Sequence, residues 1–372
     1  MQTTQLRWVP ERRAWNDGHE GHDADLVLAF ANAEHFRSAD CYHELRELFP
    51  NALIAGCSSA GSILGTGISD GDVVATAVRF EKGRVRLASV QDVGSSKTAL
   101  RALARQLTDT LQAPDLRHVL IFSDGLEVNG SELAAGLSAC GVPVTGGLAA
   151  DGTRFARTWV MADAPARSGT LAAIGLYGDL QVASGCFAGW QEFGAERRVT
   201  RAEGNVVHTI DGQPALALYK RYLGDQADAL PGSGLRFPLS IRATREDPPV
   251  IRTLLAVDEP AQTLTFAGDV PQGSYCRLMK SSLDDLIESA GHAAAAARPH
   301  PGQPGLCLVV SCVGRRLVLG QFTEEELDPV RETLGPATAI TGFYSYGELA
   351  PFSDLRHCHL HNQTMTLTTV HE

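Results

Sequence analysis

Short apolar runs and amphipathic stretches alternate along the chain in a cadence that occurs three times. In the first passage, apolar residues 26–30 predict a strand, and residues 38–49 predict a helix with Cys41, Leu45 and Leu48 on one side. Apolar residues 52–55 predict a second strand, ending at Gly56 in the small-residue loop 56–61. The second passage predicts a strand at 118–122, a helix at 130–140 and a strand at 143–145, then the loop 146–152. The third predicts a strand at 306–311, a helix at 324–334, a strand at 337–341 and the loop 342–348. Strand, helix and second apolar strand in this order are the pattern of a crossover joining parallel strands. Each glycine loop is expected where the chain leaves the carboxyl end of its second strand, and ligands of open α/β sheets bind at such ends. Glycine at such a point is equally an ordinary turn residue.

Between these passages the period changes to two. Alternation at 72–80, 84–90, 158–162, 171–177, 181–187, 197–201 and 205–210 predicts half-buried antiparallel strands, as does a later group at 239–242, 250–257, 263–266 and 274–279. Pro214 opens a predicted helix at its favoured first position. An alanine-rich helix is expected at 282–297 and a Thr-rich strand at 360–370. The fold class is mixed α/β: layered sheets with helices, built from repeated strand–helix–strand units in two intimately associated domains. The domains are placed at 25–223 and 224–372, with the boundary in the Gly-, Asp- and Pro-rich stretch 224–234, and residues 1–24 read as a flexible arm.

A length of 372 residues suits two domains of about 150 each. The 32 Lys plus Arg stand against 43 Asp plus Glu, a formal charge of −11 that disfavours nucleic-acid phosphates and anionic lipid as partners. No apolar run reaches the roughly 18 residues of a membrane span, and no apolar block follows the charged N-terminus, so a cytoplasmic protein is expected. Its eight cysteines include no C-x-x-C pair and read as reduced thiols.

Several segments together resemble the FIST family of bacterial sensory proteins. They are Ala55-Gly56-Cys57-Ser58-Ser59-Ala60-Gly61, Thr145-Gly146-Gly147-Leu148-Ala149-Ala150-Asp151 and Asp211-Gly212-Gln213-Pro214-Ala215-Leu216. In the C-terminal half they are Ser311-Cys312-Val313-Gly314-Arg315, Gly342-Phe343-Tyr344-Ser345-Tyr346-Gly347-Glu348 and Leu360-His361-Asn362-Gln363-Thr364. The resemblance implies an N-terminal and a C-terminal FIST domain binding a small ligand, such as an amino acid, and signalling without catalysis. With no output segment in sight, the signal is expected to pass to a separate protein. Similarity to the nitric oxide-sensing branch further implies haem, a partner histidine kinase in a two-component system and control of cyclic-di-GMP. Homo-oligomerisation is left open.

Haem requires an axial donor, an apolar slot and cations for its propionates. Alternation puts His361, the first choice for iron, on one face with His359, Met365 and Leu367, and His208 on one face with Val206 and Ile210. A histidine on an apolar face is more often a core residue than a ligand. Met365, Tyr344, Tyr346 and Cys358 are alternative donors. Arg315 is expected to grip a carboxylate or propionate bidentately, and Glu348 to accept from a ligand amine or to cap nearby backbone. Gly56, Cys57, Gly146, Gly147 and Asn362 complete the expected pocket walls. Cys307, Cys312, Cys358, His359 and His361 match no standard metal-ligand spacing. A nucleophile at Cys57 would need a base that the spacing does not supply, so an enzyme is not expected.

Overall fold

The computed structural model describes residues 1–9, 14–16, 23–93, 97–298, 303–352 and 357–372. All three predicted crossovers are present as parallel strand pairs. Leu26–Ala31 pairs with Leu53–Ser58 across helix Asp40–Leu48, and Leu116–Ser123 pairs with Val144–Leu148 across helix Gly130–Leu137. Gly305–Cys312 pairs with Thr338–Ser345, with Val313–Leu319 and Asp328–Leu334 between them. The single helix expected at 324–334 begins later: a 3-10 segment Gly320–Leu327 precedes it, and Pro329 starts a new helix in its first turn.

The three pairs are completed in the same way. The first strand of each takes an antiparallel neighbour on its free edge: Val73–Arg79, Leu171–Gly178 and Met365–His371 respectively. Gln2–Val9, Gly83–Val90 and Gln181–Phe187 lie beyond these. The second strand of each is flanked by a strand from a different unit. The chain leaving the first unit places Ser62–Leu64 in the third sheet, the chain leaving the second places Val160–Ala162 in the first, and the chain leaving the third places Gly347–Pro351 in the second. The sheets are thus tied to one another cyclically. Gln2–Val9 is a paired strand with Leu6 fully buried, which corrects the expected loose arm there; residues 10–13 and 17–22 of that arm lie outside the described residues.

Phe30, Phe122 and Phe343 meet where the sheets face one another, with ring centroids 4.9, 5.6 and 5.9 Å apart. Each parallel pair contributes one ring, since Phe30 is in register with Cys57, Phe122 with Gly147 and Phe343 with Val310. Cys57 and Gly147 are therefore the small partners that admit a ring from the adjacent strand. A Cβ at Gly147 would stand 2.5 Å from Val310 Cγ1. Each buried phenylalanine contributes on the order of 1.5–3 kcal/mol.

The glycines expected in loops lie inside strands. Gly56, Gly146 and Gly342 are in register with Ala29, Ile121 and Val309, one in each parallel pair. A Cβ on them would fall 1.7, 2.0 and 1.9 Å from the carbonyl oxygens of those residues. The same close backbone approach explains all three, and none of them is a pocket wall.

The chain between the second and third units forms a further, bent sheet. Its order is Val250–Arg252, Leu239–Arg242, Tyr275–Lys280, Gln191–Glu203, Val206–Ile210, Thr263–Phe266 and Leu254–Asp258, with Gln213–Pro214 beside Val206–Ile210. The bend falls in Gln191–Glu203, whose register with Tyr275–Lys280 shifts between Phe193 and Arg197. Helix Ala215–Leu223 packs its buried Leu216 and Tyr219 against this sheet, with Pro214 as its cap. The sheet takes strands from both sides of residue 224.

Candidate functional site

The carboxyl ends of the second and third parallel pairs face the bent sheet across a cavity of about 400 Å³. Loop 125–130, Leu148, residues 312–314, Tyr346 and Asn362 form one wall, and Asn205, Thr253 and residues 266–269 line the other. This volume lies within the usual range of small-molecule sites, about 300–1,000 Å³.

Two buried aspartates shape the wall. Asp124 Oδ1 accepts from the amides of Leu126 and Glu127, both at 2.8 Å, while its Oδ2 accepts from Gly169 N at 3.0 Å. The loop after the first strand is thereby folded back over the cavity. Asn129 then caps helix Gly130–Leu137 and donates through Nδ2 to Asp269 Oδ1 at 3.1 Å, tying the second unit to the bent sheet. Asp151 accepts from the amides of Phe155, Ala156 and Arg157 at 2.9–3.0 Å and from the hydroxyl of Tyr346. Burial alone would raise its carboxyl, but the hydrogen bonds from Tyr346 and the amides outweigh that and hold it below the usual carboxylate range. Phe155, in the left-handed region at φ 49°, lies flat on Tyr346, with centroids 4.6 Å apart and planes 10° apart.

The mouth is apolar. Leu126, Phe155, Leu255 and Leu317, between 38% and 49% exposed, all line the cavity, and only Phe187 and Phe322 are comparably exposed large apolar residues among the described ones. Such clustering marks a contact surface, whereas scattered single residues would not. Deeper in, Asn362 and Thr253 are buried, and Asn362 Oδ1 and Thr253 Oγ1 have no hydrogen-bond partner. The ionisable lining consists of Glu127, Asp269, Cys312 and Tyr346, with no Lys, Arg or His among the described residues.

Of the residues singled out from the sequence, Tyr346 and Asn362 line this cavity. Arg315 does not bind there: its guanidinium is fully buried and spends its donors on Glu326, Ala188 O, Ser289 Oγ and Leu286 O. His361 is buried on the far side of its strand, where Nε2–H donates to Ala350 O at 3.1 Å and the ring lies against Phe352 and His359. Burial lowers its imidazole to about 4. Met365 is a fully buried core residue. In the strand Val206–Ile210, Val207 and Ile210 are buried and His208 is half-buried: the pairing with Gln191–Glu203 slips register past His208 and breaks the predicted alternation. Gly56, Cys57, Gly146 and Gly147 belong to the core described above. The Cys57 thiol is wholly inaccessible, and burial pushes it far up, so it cannot serve as a nucleophile.

Glu348 sits beneath the cavity, fully buried, with Ser345 Oγ at 2.6 Å from Oε1 and Thr364 N and Oγ1 at 3.2 and 2.8 Å from Oε2. Burial, only partly offset by these donors, raises its carboxyl to about 8. The folded protein therefore retains a proton that the unfolded chain releases near 4.5. The stability this proton contributes is complete below pH 4.5 and is lost as pH rises towards about 8. Glu348→Gln, which keeps the neutral shape, is expected to remove this component, so its melting temperature gains on the wild type between pH 5 and about 8. Parallel melting curves of the two proteins over that range would refute the assignment.

The residues lining this cavity do not fit haem. No described lining residue offers an imidazole or thioether, and none offers a cation for a propionate. Burial raises the thiol of Cys312, and burial together with Asp151 raises the phenol of Tyr346, whose hydroxyl is already given to Asp151. Among the described residues, no three His, Cys, Asp or Glu side chains are grouped to hold a metal ion. The sequence reading missed Phe155 and Thr253. An aromatic inside the polar run Asp151-Gly152-Thr153-Arg154-Phe155 was a usable signal for Phe155, but nothing local marks Thr253.

An apolar-mouthed cavity with unpaired polar groups in its wall, at the strand ends of an α/β body, defines a small-ligand-binding module. Family models agree: the FIST N domain matches residues 25–213 and the FIST C domain residues 215–351. The chain belongs to the FIST family, whose domains are sensory ligand-binding domains of signal transduction. No curated protein matches the sequence. Eight solved chains match in the comparison of structures, among them a chorismatase similar over 100% of this chain and 98% of its own at 11% identity and a TM-score of 0.34, too slight a likeness to bear on function. No helix among the described residues is long and apolar enough to cross a membrane.

Proposed function

We propose that this protein is a cytoplasmic small-ligand sensor, without catalytic activity, whose ligand occupies the cavity between the parallel strand ends and the bent sheet. The carrying observation is the convergence of four exposed apolar side chains on the mouth of a cavity whose wall holds two buried polar atoms without partners. A ligand there touches loop 125–130, the Tyr346 segment and the bent sheet together, so differential contact with these parts supplies the coupling that a sensor requires. Output is proposed to pass to a separate histidine kinase or cyclic-di-GMP enzyme, while family membership supports the sensory role alone. The donor set argues against the haem and nitric oxide version.

Native mass spectrometry of the protein purified from cell extract tests the site. A bound small molecule is expected in the wild type and should be absent from Leu317→Trp, which fills the mouth from an exposed position. Equal retention by both proteins would put the ligand elsewhere. Protein prepared with added haem is expected to show no Soret band; a band that Leu317→Trp abolishes would restore the haem reading.

A further inference from the structure

We infer that the occupant of this cavity is a neutral or cationic molecule with a flat apolar body and a hydrogen-bond donor, an arylalkyl amine being the simplest example, and not an anion. The inference rests on the cavity being the ligand site and names the chemical class that the site selects. Three independent features of the wall point the same way.

First, both unsatisfied atoms can accept a hydrogen bond, and Asn362 Oδ1 can do nothing else. Asn362 is fully buried and Thr253 is 4% exposed, and Asn362 Oδ1 and Thr253 Oγ1 lack partners. Asn362 gives one Nδ2 N–H to His361 O at 3.0 Å, while its unpaired carbonyl oxygen can only accept. A buried acceptor left unpaired is costly, and a donor on the ligand would recover that cost. Second, the field is negative. Glu127 and Asp269 line the cavity, and no described lining residue carries a positive charge. Arg252, behind the wall at Gly268, is committed elsewhere: Nε donates to Asp269 O at 3.0 Å, and Nη1 donates to Ile251 O and Leu360 O at 3.1 and 3.0 Å. An anionic ligand would enter beside the carboxylates of Glu127 and Asp269 and find no cation in the described lining to pair with. Third, the Phe155–Tyr346 stack at the mouth, with Phe155 49% exposed, provides a flat platform suited to an aromatic body.

The test uses Nile red, an uncharged dye, with tryptamine and indole-3-acetate as competitors matched in body and opposite in charge. Nile red fluorescence is expected to rise with the wild-type protein and not with Leu317→Trp. Tryptamine is expected to displace the dye at a concentration about tenfold or more below that of indole-3-acetate. Asn362→Leu is expected to weaken tryptamine about tenfold relative to the dye measured on the same variant, the loss of roughly one hydrogen bond to a charged donor. Thr253→Val provides a second such variant should Asn362→Leu fail to fold. Displacement by indole-3-acetate as readily as by tryptamine, with the dye still excluded by Leu317→Trp, would overturn the ligand class and uphold the cavity. Dye binding that Leu317→Trp leaves unchanged would overturn the cavity itself as the site.

Discussion

Arg315→Ala is expected to destabilise the protein by about 3–5 kcal/mol, the range found when one partner of a buried ion pair is removed. All five guanidinium N–H groups are used. Nε and Nη2 reach Glu326 Oε2 at 3.1 and 2.8 Å, Nη2 also reaches Leu286 O at 2.7 Å, and Nη1 reaches Ala188 O and Ser289 Oγ at 2.8 and 3.2 Å. Truncation strands Glu326, which is fully buried and would keep only the hydroxyls of Ser311 at 3.1 Å and Tyr344 at 2.6 Å. Arg315→Lys should recover little, since a point charge cannot occupy a five-donor fork. Removing both charges, as in Arg315→Met with Glu326→Leu, should recover part of the loss, because much of the cost belongs to the abandoned carboxylate. Urea titration reads these values directly. An Arg315→Ala midpoint equal to the wild type would show that the network contributes nothing to the fold.

The second large effect concerns a methyl group. Gly56→Ala places a Cβ 1.7 Å from Ala29 O, a backbone atom in the middle of a parallel pair, where no side-chain rotation relieves the overlap. Separating the strands would disturb Phe30 and Cys57 one position further along, and with them the ring cluster. The expected cost exceeds about 4 kcal/mol, with little soluble protein. Gly152→Ala is the control. Gly152, unlike Gly56, has a positive φ, 79°, yet nothing lies within 4 Å of its added Cβ, so a penalty of only about 1 kcal/mol is expected from backbone strain. A Gly56→Ala protein as stable as Gly152→Ala would mean that the strands can part freely, contrary to the packing described.

These cases show what could be read from the residues and what could not. The crossovers were legible because a strand buried on both faces is an unbroken apolar run such as Leu26–Ala31, and a flanking amphipathic helix fixes the connection. The strands exchanged between units were not. Ser62–Leu64 and Val160–Ala162 are three residues long, and their partners lie far away in sequence. Gly56, Gly146 and Gly342 were noticed but misplaced, since the reason for each is a carbonyl on a neighbouring strand. The site was half legible. Its location at strand ends followed from the order of elements and Tyr346 and Asn362 from the family-like segments that hold them, whereas Thr253 arrives from a sheet whose docking no local pattern records. Arg315 was read as a ligand-binding group because its acceptors, Glu326 apart, come from other elements.

The cyclic exchange of strands limits how a signal can leave the cavity. Two lobes opening about a hinge would have to withdraw Gly347–Pro351 from Val144–Leu148 and Ser62–Leu64 from Thr338–Ser345, breaking ladders that interlock the two halves of the polypeptide. Domain separation is thereby excluded as an output. Under the proposed sensing role, a ligand in the cavity acts through the parts it touches, loop 125–130, the Tyr346 segment and the bent sheet, so a partner would read a surface that these carry.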